Sequence, residues 1–97
     1  MRYGIVFAPQ AVQDLKRLPA RHRALIRDAV EKFLRFEPDK ISQSRIKRLQ
    51  GIRHPQYRLR VGEIRVFYDI VAEEVEVLAV VQKSEAANWL AEMGEVE

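Results

Sequence analysis

Apolar positions along the chain follow two different periods, and the change from one to the other divides it. Near the start, Tyr3, Ile5 and Phe7 alternate with Gly4 and Val6, the two-residue repeat of a strand. Pro9 follows, and proline fits a first helical turn, where the missing N–H would have had no partner. Val12, Leu15 and Leu18 then mark a helical stripe. Pro19 opens a second, longer helix. Leu25, Ile26, Ala29, Val30, Phe33 and Leu34 recur at helical spacing there, with Arg21, Arg23, Arg27, Asp28, Glu31, Lys32 and Arg35 on the other face. Pro38 lies beyond its end, so the two helices read as a hairpin.

From Ile41 to Gln56 the pattern is irregular and basic. The two-residue period then returns: Tyr57, Leu59 and Val61 alternate with Arg58 and Arg60. Gly62-Glu63 is a turn, and Ile64, Val66, Tyr68 and Ile70 form the next strand. After a turn at Ala72-Glu73, the segment Val75–Gln82 is apolar on both faces, which predicts a central strand or one covered on both sides. Ser84 is placed to cap a last short helix, with Glu85 in its first turn and Ala86, Ala87, Trp89, Leu90 and Met93 on its apolar side. The predicted class is α+β: an N-terminal strand and helical hairpin packed on an antiparallel sheet, with a short C-terminal helix. The hairpin should cover one sheet face, leaving Arg58 and Arg60 on the other. Tyr57, Tyr68, Phe33 and Phe36 read as core; Phe67, with the parity of Arg65, either faces outward or lies under the final helix.

No repeat or linker interrupts residues 1–97, a length that suits one domain with one modest core. The chain has no cysteine, so disulfides, thiolate metal sites and a cysteine nucleophile are excluded, and a reducing cytoplasm is the expected setting. No apolar run is long enough to span a bilayer, and the first residues lack the apolar stretch of a signal peptide, so no membrane role is expected.

Charge changes the picture most. Residues 1–65 hold 16 Lys/Arg and 6 Asp/Glu; residues 66–97 hold 1 basic residue, Lys83, and 8 acids. Within residues 40–65 there are 8 basic residues against one acid, Glu63. Such a block is either a solvated face or a surface for a polyanion, to which arginine's planar fork is suited. Other chemistry is thinly represented. His22 and His54 are far apart without metal-ligand spacing, the glycines form no phosphate loop, and the serines form no triad. What remains is the cationic strand pair. Arg58 and Arg60, two apart, project to one sheet face, and Arg65 lies across a short turn. Arginines converging on a phosphate can stabilise a developing dianion, and a lysine among them can move a proton.

Lys47-Arg48-Leu49 with Gly51, the run Tyr57-Arg58-Leu59-Arg60-Val61-Gly62-Glu63-Ile64-Arg65-Val66-Phe67-Tyr68, and Val80-Val81-Gln82-Lys83-Ser84 resemble the RelE/ParE superfamily of bacterial toxins. The resemblance is closest to the RelE-type messenger-RNA interferases of type II toxin–antitoxin systems, and it covers nearly the whole chain. It implies cleavage of messenger RNA in the ribosomal A site, without metal or cofactor, leaving a 2′,3′-cyclic phosphate. It also implies a cognate antitoxin, with operator DNA bound only through the antitoxin complex. Residue by residue, Arg58 and Arg60 match the family's paired basic strand positions, one of which is assigned as general base; Arg65 matches its transition-state arginine, and Lys83 a basic residue near the last strand's end. On that match Arg60 and Arg65 would stabilise the scissile phosphate and Lys83 would assist proton transfer. Lys47, Arg48 and Arg58 would hold the RNA backbone, and Trp89 would stack on a base. Gln82-Lys83 stands where many members carry His-Arg, and Trp89 where many carry tyrosine. Relatives of the ParE kind share the scaffold but poison gyrase, and a catalytically weak module acting mainly in an antitoxin complex is a further alternative. One geometric condition attaches to Lys83. It shares the parity of Val75 to Val81, so it reaches the arginine face only if the strand ends or bulges before it.

Overall fold

The computed structural model describes residues Met1–Glu97. Its elements run β1 (Gly4–Phe7), α1 (Pro9–Lys16), α2 (Ala20–Leu34), β2 (Ile46–Arg48), β3 (Ile52–His54), β4 (Tyr57–Val61), β5 (Ile64–Val71), β6 (Glu74–Gln82), α3 (Lys83–Met93) and β7 (Glu95–Val96). Five strands form the main sheet in the order β1-β6-β5-β4-β2, and β3 pairs with β7 in a small second sheet. The expected α+β layout is present. Strands β2, β4, β5 and β6 are antiparallel, whereas β1 joins β6 in parallel, so the sheet is mixed. The parallel pairing follows from connectivity: the helical hairpin and four strands intervene between β1 and β6, so no tight turn fixes their sense.

The helical hairpin and one sheet face enclose the core. Ala11, Leu15, Ile26, Ala29, Val30 and Leu34 meet Ile46, Leu59, Val66, Tyr68, Val75, Val77 and Val80 in a single buried cluster. Tyr68 is its largest member. Its ring stacks on Tyr57 at 5.4 Å, and its hydroxyl donates to the Pro38 carbonyl at 2.6 Å, so the buried phenol is satisfied. Phe33 packs against this cluster, but Phe36, expected in the core, is 58% exposed. The helical repeat ends at Leu34, which removes Phe36 from the inward stripe.

β6 lies between β1 and β5, as its two apolar faces require. Its register against β5 slips once. Phe67 pairs with Ala79 and Tyr68 with Val77, leaving Leu78 without a partner. This bulge inverts the alternation. Val75 and Val77 point into the core before it, and Val80 does so after it. Ala79 and Val81 therefore face the opposite side, with Phe67 and Arg65 across from them. β1 pairs with β6 only as far as Val77, so the next stretch of β6 lacks a strand on that side. Helix α1 takes over. The buried carboxylate of Asp14 accepts a hydrogen bond from the Val80 amide at 2.9 Å and another from Gln10 at 2.8 Å.

On the face away from the hairpin, α3 covers Phe67. Trp89 lies nearly parallel to that ring, with centroids 5.0 Å apart, and Phe67 is 1% exposed. The N-cap of α3 is Gln82, without a side-chain cap bond, so Ser84 stands inside the first turn and does not cap it. The strand runs directly into the helix, which moves the helix start ahead of the serine. No helix is long and apolar enough to cross a membrane.

Candidate nucleic-acid interface

The second sheet face carries the cations. Direct cross-strand partners share a face, and two such pairs are like-charged: Lys47 opposite Arg58, and Arg60 opposite Arg65. Cβ atoms of directly opposed residues lie only ~4.5–5.5 Å apart, so each pair is repulsive. Lys83 joins them. The bulge at Leu78 and the end of β6 at Gln82 together meet the condition on its parity, and its side chain lines the same cleft as the other four. The cleft has a volume of about 480 Å³ and no apolar lining residue. None of its five cations is within ion-pair distance of a carboxylate; the chain's ion pairs are Arg17–Asp14, Arg35–Glu31, Lys40–Glu37 and His54–Asp69.

Backbone contacts hold Arg65 in place instead. Arg65 is only 6% exposed, and its Nη1 donates to the carbonyls of Gly62 at 2.8 Å and Ile64 at 3.0 Å. Gly62 adopts a positive φ of 58°, a conformation that glycine enters without a Cβ clash, and this turn presents its carbonyl to Arg65. The same turn anchors α3, since the Lys83 amide donates to the Glu63 carbonyl at 2.7 Å. Arg65 and Lys83 are thus referenced to one rigid hairpin end. Arg58 is half-buried and its Nε has no hydrogen-bond partner. Burial first, then the neighbouring charges of Arg65 and Arg60, lower its guanidinium below the ordinary arginine value. A half-buried donor without a partner beside like-charged neighbours is chemically suited to an anion.

Two sequence-proposed residues lie outside the cleft lining. Arg48 has the opposite parity to Lys47. It sits over the Tyr57 ring at 5.2 Å and donates to the Gln56 carbonyl at 2.8 Å. Trp89 has one ring face occupied by Phe67 and is half-buried. Two neutral residues that sequence reasoning did not assign do line the cleft: Ser42 and Gln43. Ser42 had a local signal, a hydroxyl followed three residues later by the amide it accepts from. Gln43 had none. A second missed feature is the His54–Asp69 pair. The buried Asp69 carboxylate meets His54 Nδ1 at 2.8 Å and accepts from the Gln56 amide at 2.7 Å, tying the segment after β3 to β5. Three or more His, Asp or Glu side chains gather nowhere in the chain, so no carboxylate–imidazole cage for a metal is formed.

A family model described as the ParE toxin of type II toxin–antitoxin system, parDE, matches residues 5–87. No curated protein sequence matches the chain. Among solved structures the chain is similar to the RelBE2 toxin–antitoxin complex from Mycobacterium tuberculosis, at 26% identity and a TM-score of 0.69, over 84% of this chain and 99% of that one. It is similar to the RelB–RelE antitoxin–toxin complex from Methanococcus jannaschii, at 25% identity and a TM-score of 0.65, over 87% and 96% of the two chains. The isolated RelE toxin of E. coli shares the fold, with 18% identity, a TM-score of 0.60, and coverage of 91% and 98%.

Proposed function

The chain belongs to the ParE toxin family of type II toxin–antitoxin systems, within the RelE/ParE superfamily, and from that premise we propose that it is a messenger-RNA endoribonuclease acting in the ribosomal A site. The observation that carries this reading is the pair of like-charged cross-strand contacts, Lys47–Arg58 and Arg60–Arg65, opening with Lys83 onto one cleft that holds no carboxylate. A structural role would pair these charges with acids. Successive phosphodiesters of an RNA backbone would relieve them.

In this mechanism the substrate supplies its own nucleophile. The ribose 2′-oxygen attacks the adjacent phosphorus, the bond from phosphorus to the 5′-oxygen breaks, and the products are a 2′,3′-cyclic phosphate and a 5′-hydroxyl. Arg60 and Arg65 stabilise the charge that develops on the phosphoryl oxygens. Lys47 and Arg58 fix the backbone on either side. Lys83, as an ammonium, gives its proton to the departing 5′-oxygen, and the 2′-hydroxyl proton passes to water. Arg48 and Trp89 act from the rim, by contact with flanking RNA. The protein works in the cytoplasm, where ribosomes are, and a cognate antitoxin holds it inactive, as the RelBE complexes suggest by similarity. Operator DNA is met only through that complex.

Lys83→Ala should lower A-site cleavage by roughly 10²–10⁴-fold, the usual contribution of a positioned acid. Arg65→Ala should lower it by roughly 10²–10³-fold. Undiminished cleavage and growth arrest in both variants would sink this site. The matched family model favours a second reading, a toxin that binds and blocks gyrase. DNA-damage signalling on expression, with messages left uncleaved in primer extension, would establish that reading in place of the first.

A further inference from the structure

Five of the seven side chains lining the cleft are cations, which in their charged state donate hydrogen bonds and accept none. The remaining two are Ser42 and Gln43. The Ser42 hydroxyl oxygen already accepts from the amides of Arg45 at 3.0 Å and Ile46 at 3.2 Å, which fills its two lone pairs. The Ser42 amide also donates to the Ile46 carbonyl at 3.0 Å, so two hydrogen bonds tie this loop to the edge strand β2 and the one from Arg45 closes the loop itself. Gln43 sits at the tip of that fixed loop, and its amide oxygen is the one uncommitted side-chain acceptor among the cleft residues. A phosphate offers only acceptors and has no use for it. A ribose 2′-hydroxyl offers a donor proton, and the 2′-hydroxyl is what separates RNA from DNA.

We propose that Gln43 is the positioning residue that accepts a hydrogen bond from the ribose 2′-hydroxyl, so that the cationic floor binds phosphate and Gln43 selects RNA over DNA. The inference rests on the nucleic-acid reading of the cleft. It also gives the attacking oxygen an orientation that no cation in the cleft can supply.

The test compares the full-length chain with a single-stranded RNA oligonucleotide and the DNA oligonucleotide of the same sequence, read by fluorescence anisotropy. The wild type should prefer RNA by about three- to tenfold, the equivalent of one net hydrogen bond. Gln43→Ala should bring RNA affinity down to that of DNA while leaving DNA affinity within about twofold, since the cations are untouched. Gln43→Glu keeps an acceptor, so it should retain the preference for RNA while weakening both ligands. Gln43 is exposed, and its replacement removes no packing. A Gln43→Ala chain that keeps the wild-type preference overturns the proposal, as does a wild type that binds both oligonucleotides equally, although the latter leaves the phosphate reading intact. A wild type that binds neither overturns the nucleic-acid reading itself.

Discussion

Replacing Asp14 with alanine should destabilise the protein without touching the cleft directly. The carboxylate accepts from the Val80 amide at 2.9 Å, at a stretch of β6 where β1 has already ended. Val80 is 5% exposed and Asp14 is 9% exposed, so water does not readily replace the lost acceptor. A buried donor left unpaired costs about 1–3 kcal/mol. For a chain of 97 residues each kcal/mol corresponds to a shift of roughly 4–8 °C in Tm. The expected loss is about 2 kcal/mol, or about 8–16 °C. Asp14→Asn keeps an oxygen where the acceptor is needed and should lose less than half as much. Urea unfolding and thermal melting measure both variants, and amide exchange at Val80 reports the site itself. An alanine variant within about 0.5 kcal/mol of wild type would refute the reasoning, because surface changes alone reach that size.

Salt should weaken single-stranded RNA binding in proportion to the phosphates neutralised. With two to five engaged, the slope of log K against log salt is about −1.4 to −3.5, a loss of roughly 7- to 130-fold between 50 and 200 mM. Arg60→Ala should remove about 0.7 from that slope, and a wild-type slope shallower than about −0.7 would count against phosphate binding. Tyr68→Phe should lose about 1 kcal/mol at neutral pH, because the Pro38 carbonyl forfeits its donor. Burial first, then neighbouring Tyr57 and Asp39, raise the Tyr68 phenol above its ordinary value. A group raised in the folded state gives stability that is complete below its unfolded pKa, about 10, and is lost as pH climbs beyond it. The wild type should therefore lose stability above about pH 10 more steeply than the phenylalanine variant, and parallel alkaline curves in the two would contradict this.

The two periods of apolar residues were enough to place β1, both hairpin helices, β4, β5, β6 and α3, because each is long enough for its spacing of apolar residues to register. They could not show β2, β3 or β7. Each has three residues or fewer, too short for alternation to register, and β3 finds its partner at the far end of the chain. The cleft was half legible. Arg58, Arg60 and Arg65 share a face by parity alone, but the place of Lys83 depends on a bulge, and nothing in VEVLAVV announces which residue is unpaired. Arg48 shares the family-like run Lys47-Arg48-Leu49, but neighbours on a strand point to opposite sides, so it leaves the face that Lys47 occupies. Gln43 was invisible because a loop tip is defined by its closure, and the hydrogen bonds that close it come from Ser42.

The unpaired Leu78 has a consequence for how this chain aligns with its kin. A strand carrying one surplus residue can lose it without turning any other side chain over. Deleting Leu78 would restore unbroken alternation, with Val75, Val77 and Val80 still inward and Ala79 and Val81 still outward. A relative one residue shorter here would show a single gap in the middle of its last long strand, and its lysine would still arrive on the arginine side. Counting residues between the strand pair and that lysine would then misplace the homologous position by one, while counting faces would find it.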